Sequence, residues 1–297
     1  MTDTPLRGLT LYAALGSLAL GGFAIGTTEF VTLGLLPQIA HGVHVGIPTA
    51  GNIVSAYALG VVVGAPALAM AGAKLPRRGM LVSLMIAFAL FNAASALAPN
   101  YVTLLILRFC SGLPHGAFFG LASVLAAGLV TKERRTWAVA MVLAGLTVAN
   151  IVGVPASTVI GQRYGWEWPY VGVGVIAALT AVAVRLWIPC QHGHADTSAA
   201  AELSALRRPQ VWLALGIGTV GFGGMFATFS YITPTLTELT GVRDNVVPLF
   251  LVCYGLGMTT GAFVSGYLAR IGLLRGIAAS LVLIIALLCV FGWMMHS

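Results

Sequence analysis

Charge is scarce in this chain. Asp, Glu, Lys and Arg make up 8% of its 297 residues, against about 25% in a soluble domain. Acids are the scarcest, with 8 Asp and Glu beside 15 Lys and Arg, a net charge of +7. A basic balance can point to nucleic acid. Here the basic residues sit in short clusters between apolar runs and not on a stripe interleaved with aromatics, so no nucleic-acid partner is expected. Cysteine is equally sparse: Cys110, Cys190, Cys253 and Cys289 lack metal-ligand spacing, and three lie inside apolar runs. They read as small hydrophobes, with no disulfide framework, redox motif or metal site. No Ser–His, metal-ligand or paired-carboxylate spacing occurs within the apolar runs, so neither an enzyme nor a cofactor is expected. Alternating polar and apolar residues are missing too, which excludes a membrane β-barrel.

What is present is hydrophobic length. Hydrophobic residues make up 59% of the chain and mean hydropathy is +0.96. Nine apolar runs, at 9–36, 50–71, 79–97, 101–130, 136–160, 168–188, 211–239, 246–268 and 273–295, are long enough to cross a bilayer. The first follows Arg7 as a signal peptide would, but it is too long and more runs follow, so it reads as a retained helix. The 37 glycines suit close helix packing in lipid. The expected class is an all-α membrane protein.

Loop charges set the expected orientation. Arg7, then Lys74, Arg77 and Arg78, then Lys132, Arg134 and Arg135, then Arg185, Arg207 and Arg208, and then Arg270 and Arg275 fall on one side. The other side has only Arg163 and Arg243. The N-terminus and the even-numbered loops are therefore expected in the cytoplasm, with Ser297 outside. The stretch 189–209 reads as a solvated cytoplasmic linker dividing six runs from three. Its His192 and His194 have too few other ligands nearby to suggest a metal.

Two charges lie deep inside the runs, away from their ends. Glu29 is the only charge in 9–36, and Arg108 stands seven residues inside the fourth run. Both are about 10–12 Å below the outer ends of their helices. A charge at that depth is costly and marks a pathway by default, so the two are expected to face one cavity and to pair, directly or through water. Thr27, Thr28 and Thr32 could line the same face as Glu29. The plainer alternatives are a protonated, packed Glu29 and an Arg108 that snorkels outward. Arg108, Gly112, His115 and Phe119 share one helical face. His115 suits a proton relay or a substrate contact, or equally a hydrogen bond to a neighbouring helix. Pro155 is expected to kink the fifth run, which also carries Asn150 and where Gly145, Gly153 and Gly161 allow close approach.

An internal repeat crosses the linker. Tyr57-Ala-Leu-Gly60 with Gly64-Ala65 in the second run matches Tyr254-Gly-Leu-Gly257 with Gly261-Ala262 in the eighth, at an offset of 197. A weaker echo, Gly21-Gly22 against Gly223-Gly224, sits at 202. Parallel repeats of this kind are a transporter architecture.

These residues together resemble the major facilitator superfamily, specifically its twelve-span drug:proton antiporter group with the arabinose-efflux-permease-like and sugar efflux transporters. The resemblance rests on Gly26-Thr-Thr-Glu29-Phe30 with Gly34-Leu-Leu-Pro37, on Ser55-Ala-Tyr57-Ala-Leu-Gly60, on Arg108 through Gly120 and on Thr147 through Pro155. It implies a major facilitator fold. A complete six-helix bundle is expected at 1–188, and an incomplete three-span bundle at 210–297. It also implies proton-coupled efflux of a small molecule, such as a drug or sugar, across the inner membrane of a bacterium. Glu29 and Arg108 would couple protons, and Tyr57, His115, Asn150 and Tyr231 would line the substrate cavity. Gly153 and Pro155 would form the antiporter motif, and Lys74, Arg77 and Arg78 the cytoplasmic gating loop. Ala73 and Arg270 stand where the family often has Asp, and Ser157 where Gly is frequent. The family has twelve spans against nine apolar runs here. A non-transporting remnant or assembly partner is therefore the alternative reading, and an uptake symporter a further one.

Overall fold

The computed structural model describes residues 8–72, 75–190 and 208–296. Among them there are helices and turns but no strand. Lipid offers no water to backbone groups, and a helix satisfies them within one segment. Helices long and apolar enough to cross a membrane run Gly8–Gly34, Ile47–Leu68, Arg77–Ala96, Tyr101–Gly128, Lys132–Tyr164, Glu167–Trp187, Pro209–Ser230, Asp244–Val264 and Leu274–Trp293, hereafter spans one to nine. Each apolar run of the sequence has its helix. Lys74, Ala73, His192 and His194 lie outside the described residues.

Prolines decide where the spans break. Span one stops at Gly34 and the chain resumes as a short helix, Leu36–Gly42, beyond the end expected from the apolar run. Pro37 has no N–H, so the carbonyl of Leu33 loses its helical partner. The Thr233 hydroxyl donates to that carbonyl at 3.1 Å and to that of Gly34 at 3.3 Å, which ties span seven to span one. Span seven breaks in the same way. Its helix ends at Ser230, and Pro234 stands just ahead of a π-helical turn, Thr235–Leu239. The single helix expected over 211–239 is therefore in pieces. Pro37 and Pro234 are 197 residues apart, the offset of the tyrosine repeat. They place spans one and seven in the same register as spans two and eight, which the glycine echo at 202 does not.

Span five also departs from expectation. A helix over Arg135–Val148 passes through a π turn, Ala149–Gly153, into Val154–Tyr164. The kink expected at Pro155 takes this form: the missing donor is absorbed by widening the turn ahead of it.

Small residues set the packing. Span two lies along span four, span three along spans four and six, and span one along spans five and six. A Cβ at Gly60 would collide with the Phe109 carbonyl, and one at Gly112 with that of Tyr57, so only hydrogen fits between these backbones. At the repeated glycines of span eight, Gly257 and Gly261, a Cβ would meet nothing within 4 Å among the described residues. Span eight instead packs Gly255 onto the Asn150 backbone in the π turn of span five. Spans seven and nine bury almost no residue, Phe229 of span seven being the exception among those described. At the opposite end of the first six spans, Arg78 donates to the Ile188 carbonyl at 3.1 Å and caps the C-terminus of span six.

Candidate functional site

Arg108 is the most deeply buried charge among the described residues, at 1% exposure. Its guanidinium is held by neutral groups. One terminal nitrogen donates to the Thr28 hydroxyl at 3.1 Å and more weakly to Ser111 at 3.5 Å, and the other to the Thr28 carbonyl at 3.4 Å. The Thr28 hydroxyl in turn donates to Asn92 Oδ1 at 2.6 Å, and the Asn92 amide donates to the Phe88 carbonyl at 2.8 Å. Thr28 therefore uses its oxygen as acceptor and its proton as donor at once. Two rings flank the cation: its central carbon lies 4.3 Å from the Tyr57 ring centre and 5.2 Å from that of Tyr170. Such faces attract a guanidinium and reduce the cost of its burial. Tyr170 is fixed by a 2.9 Å hydrogen bond to Thr32, and Tyr57 by one of 2.9 Å to His115 Nδ1.

Glu29 faces the other way. It is half-buried on the wall of a cavity of about 270 Å³ between the first six spans and spans seven and eight. Aromatic rings dominate this wall: Phe30, Phe119, Phe222 and Phe226, with Met225 and Met258. Phe30 and Phe226 stack across the two halves, 5.9 Å apart at 17°. Position 226 is position 29 plus the repeat offset of 197. Equivalent positions of the two halves thus meet at one cavity, one bringing a carboxyl group and the other a phenyl ring.

The expected direct pairing of Glu29 with Arg108 is absent. Neither residue makes an ion pair among the described residues. Thr28 and Glu29 are consecutive on a helix and do not face the same side. Arg108 reaches the threonine, and its charge acts on Glu29 only through space. Thr28 and Thr32 share the Arg108 side, and Thr27 bonds to the carbonyl of Phe23 in its own helix. The three threonines do not line the face of Glu29, and Arg108 does not snorkel.

Among the proposed cavity residues, His115 lines this cavity and stacks edge-on against Phe119 at 5.5 Å. Tyr57 lies behind it, between Arg108 and His115. Asn150 bonds back to the Leu146 carbonyl at 3.1 Å and is outside the cavity. Tyr231 is also outside, with its hydroxyl beside Gly51 near the end of span two. Gly153 packs against Thr27 and Phe23 of span one, and Pro155 is buried. Arg77 heads span three beside Arg78. Asn92 and Tyr170 are not evident as site residues from the sequence. Asn92 did leave a trace, as the only amide in its apolar run.

A family model described as the Major Facilitator Superfamily matches residues 18–297. The chain is 44% identical over 253 residues to the inner membrane transport protein YdhP of Escherichia coli (strain K12), which covers 85% of this chain and 65% of the relative. It is 30% identical over 280 residues to a probable sugar efflux transporter of Mannheimia succiniciproducens, covering 93% of this chain and 70% of that one. The chain thus spans about two thirds of the length of these relatives. Among solved structures, it superposes on a bacterial homologue of the human lysosomal transporter Spinster, in an inward-facing and unoccupied conformation, with a TM-score of 0.74. That match has 17% identity and covers 91% of this chain and 64% of the other. At that identity it speaks for the fold alone.

Proposed function

The chain belongs to the Major Facilitator Superfamily, and from that membership we propose that it exports a small molecule across the bacterial inner membrane against an inward flow of protons. The observation that carries this reading is the placement of Glu29, an acid at membrane depth on the wall of a cavity between two repeated halves. The names of the relatives support transport and efflux. The halves are the bundles at 1–188 and 210–297, joined by the linker at 189–209. They would rock about the seam where span one meets span seven and span five meets span eight.

Contacts between the halves gather toward one end. Thr233 bonds to Leu33 and Gly34, Gln162 donates to the Asp244 carbonyl at 2.9 Å, and Tyr231 rests beside Gly51. With the N-terminus inside, as the loop charges favour, this closed end is the outer one. Glu29 gives up its proton as substrate enters the cavity and takes one up as substrate leaves. Arg108 senses that charge through space while Thr28 and Asn92 hold it in place. His115 lies between this buried group and the cavity, through Tyr57.

The test uses everted membrane vesicles containing the chain, with an acidified lumen. Chloramphenicol, D-xylose and phenyltrimethylammonium serve as probes. An exported compound raises luminal pH as protons leave in exchange, and Glu29→Gln inserts normally but abolishes the response. If no probe moves luminal pH, or the glutamine variant responds like wild type, proton-coupled export through Glu29 is wrong. A fall in luminal pH on substrate addition would instead support symport.

A further inference from the structure

We propose that the turn between spans four and five, with the aromatic pair beside it, binds the headgroup of an anionic phospholipid of the phosphatidylglycerol kind. None of its residues lines the cavity, and its ligand does not depend on what the chain transports.

The chain builds a platform of cations here. Leu129 and Val130 are buried in the core of the first six spans and anchor the end of span four. The turn that follows, Lys132–Arg134, buries nothing, and Arg135 after it is exposed. Lys132, Arg134 and Arg135 therefore all project from the bundle. None of the three makes an ion pair among the described residues. The one acid of the turn, Glu133, folds back onto its own backbone N–H and Thr131. Three cations against one acid leave an excess of positive charge.

Aromatic rings hold these cations at a definite depth. The Arg134 guanidinium lies 5.3 Å from the Trp137 ring centre, and Tyr12 of span one meets the same ring edge-on at 6.2 Å. Tryptophan and tyrosine, each an apolar body with a polar tip, settle at the level of the lipid headgroups. Stacking engages the face of the Arg134 guanidinium, while its N–H edge makes no hydrogen bond among the described residues. That edge can fork onto two phosphate oxygens.

Beside the rings the surface is apolar. Leu9, Tyr12 and Gly16 share one face of span one, and all three are exposed. A Cβ at Gly16 would meet nothing within 4 Å among the described residues, so an acyl chain can lie in the notch next to Tyr12. Free phosphate has no use for such a wall, whereas a lipid uses both parts of the site. Among lipids, phosphatidylethanolamine carries an ammonium that the three cations repel. Each basic side chain near an anionic surface strengthens attraction by about fivefold, so net negative charge is selected.

The experiment titrates lipid into the purified 297-residue chain in detergent micelles and reads binding by native mass spectrometry. Phosphatidylglycerol, phosphatidylethanolamine with the same acyl chains, and free sn-glycerol 1-phosphate are the probes. Phosphatidylglycerol is expected to bind about tenfold or more tightly than phosphatidylethanolamine, and the free headgroup is expected not to bind in that range. Arg134→Gln with Arg135→Gln should abolish the preference. Trp137→Leu should weaken phosphatidylglycerol by about threefold, through loss of the stacked ring. Arg185→Gln with Arg275→Gln takes the same charge from exposed sites elsewhere and should leave the preference intact. Equal affinity for the two lipids overturns the proposal, as does a preference that survives the Arg134 and Arg135 exchanges. An equal loss in the charge-matched control would assign the preference to overall charge and overturn the site. Free glycerol phosphate binding as tightly as the intact lipid would overturn the lipid as its source.

Discussion

A threonine hydroxyl holds the centre of the first bundle together. Thr28 accepts from Arg108 and donates to Asn92, both buried. Thr28→Val removes both bonds while keeping the shape, and leaves a buried cation and a buried amide short of partners. The expected loss is about 1–3 kcal/mol for each unsatisfied group, read as a lower unfolding temperature in detergent, with Thr28→Ser close to wild type. A valine variant as stable as wild type would show that Arg108 finds other partners. Arg108→Lys should impair transport as strongly as Arg108→Ala, and far more than the same exchange at exposed Arg163. An ammonium cannot fork onto both Thr28 oxygens or lay a planar face on Tyr57. Normal transport by both Arg108 variants would remove this residue from the mechanism.

At the level of helices, the repeat allows a paired comparison. Gly60 and Gly257 stand at equivalent positions, yet one lies against the Phe109 backbone and the other meets nothing within 4 Å. Gly60→Val should destabilise by about 1–3 kcal/mol or more through overpacking, whereas Gly257→Val should leave the unfolding midpoint almost unchanged. Equal effects at the two sites would contradict the packing seen here. Span five offers a second test. Pro155→Ala restores a backbone donor, which lets the π turn tighten to an α-helix. Losing the extra residue of the turn rotates one segment of span five against the other by about 100°. That moves the Asn150 backbone off Gly255. Spin-label distances between spans five and eight should change, and an unchanged distance would mean the π turn does not depend on the proline.

For the molecule as a whole, the ties between halves are few and local. Thr233, Gln162 and the Phe30–Phe226 stack carry much of the polar and aromatic contact across the seam. If opening of the outer end is part of the proposed cycle, Thr233→Val with Gln162→Ala should favour the open state. A cysteine placed at Met225 on the cavity wall, in a background freed of its four native cysteines, would then react faster with a membrane-impermeant reagent added from outside. No change in labelling rate would show that these hydrogen bonds do not hold the end shut.

The sequence by itself determined the class and number of the apolar helices, the presence of a repeat, and the two charges at membrane depth. Hydropathy is a sum along the chain, and lipid turns any sufficiently long apolar run into helix. Pro155 also marked the kink of span five, because a missing N–H is a local fact, but the breaks at Pro37 and Pro234 came only with the structure, and Pro66 and Pro114 lie inside unbroken helices. Only the tertiary structure decided which way each helix is turned. Thr28 and Glu29 are neighbours in sequence, yet one holds Arg108 while the other faces the cavity. A direct Glu29–Arg108 pair is absent for that reason, and Asn150 and Tyr231 fall outside the cavity for the same one. Helical phase is set by close packing of small residues such as Gly60, Gly112 and Gly255 against other backbones. The aromatic wall supplied by Phe222 and Phe226 exists only once the two halves have met.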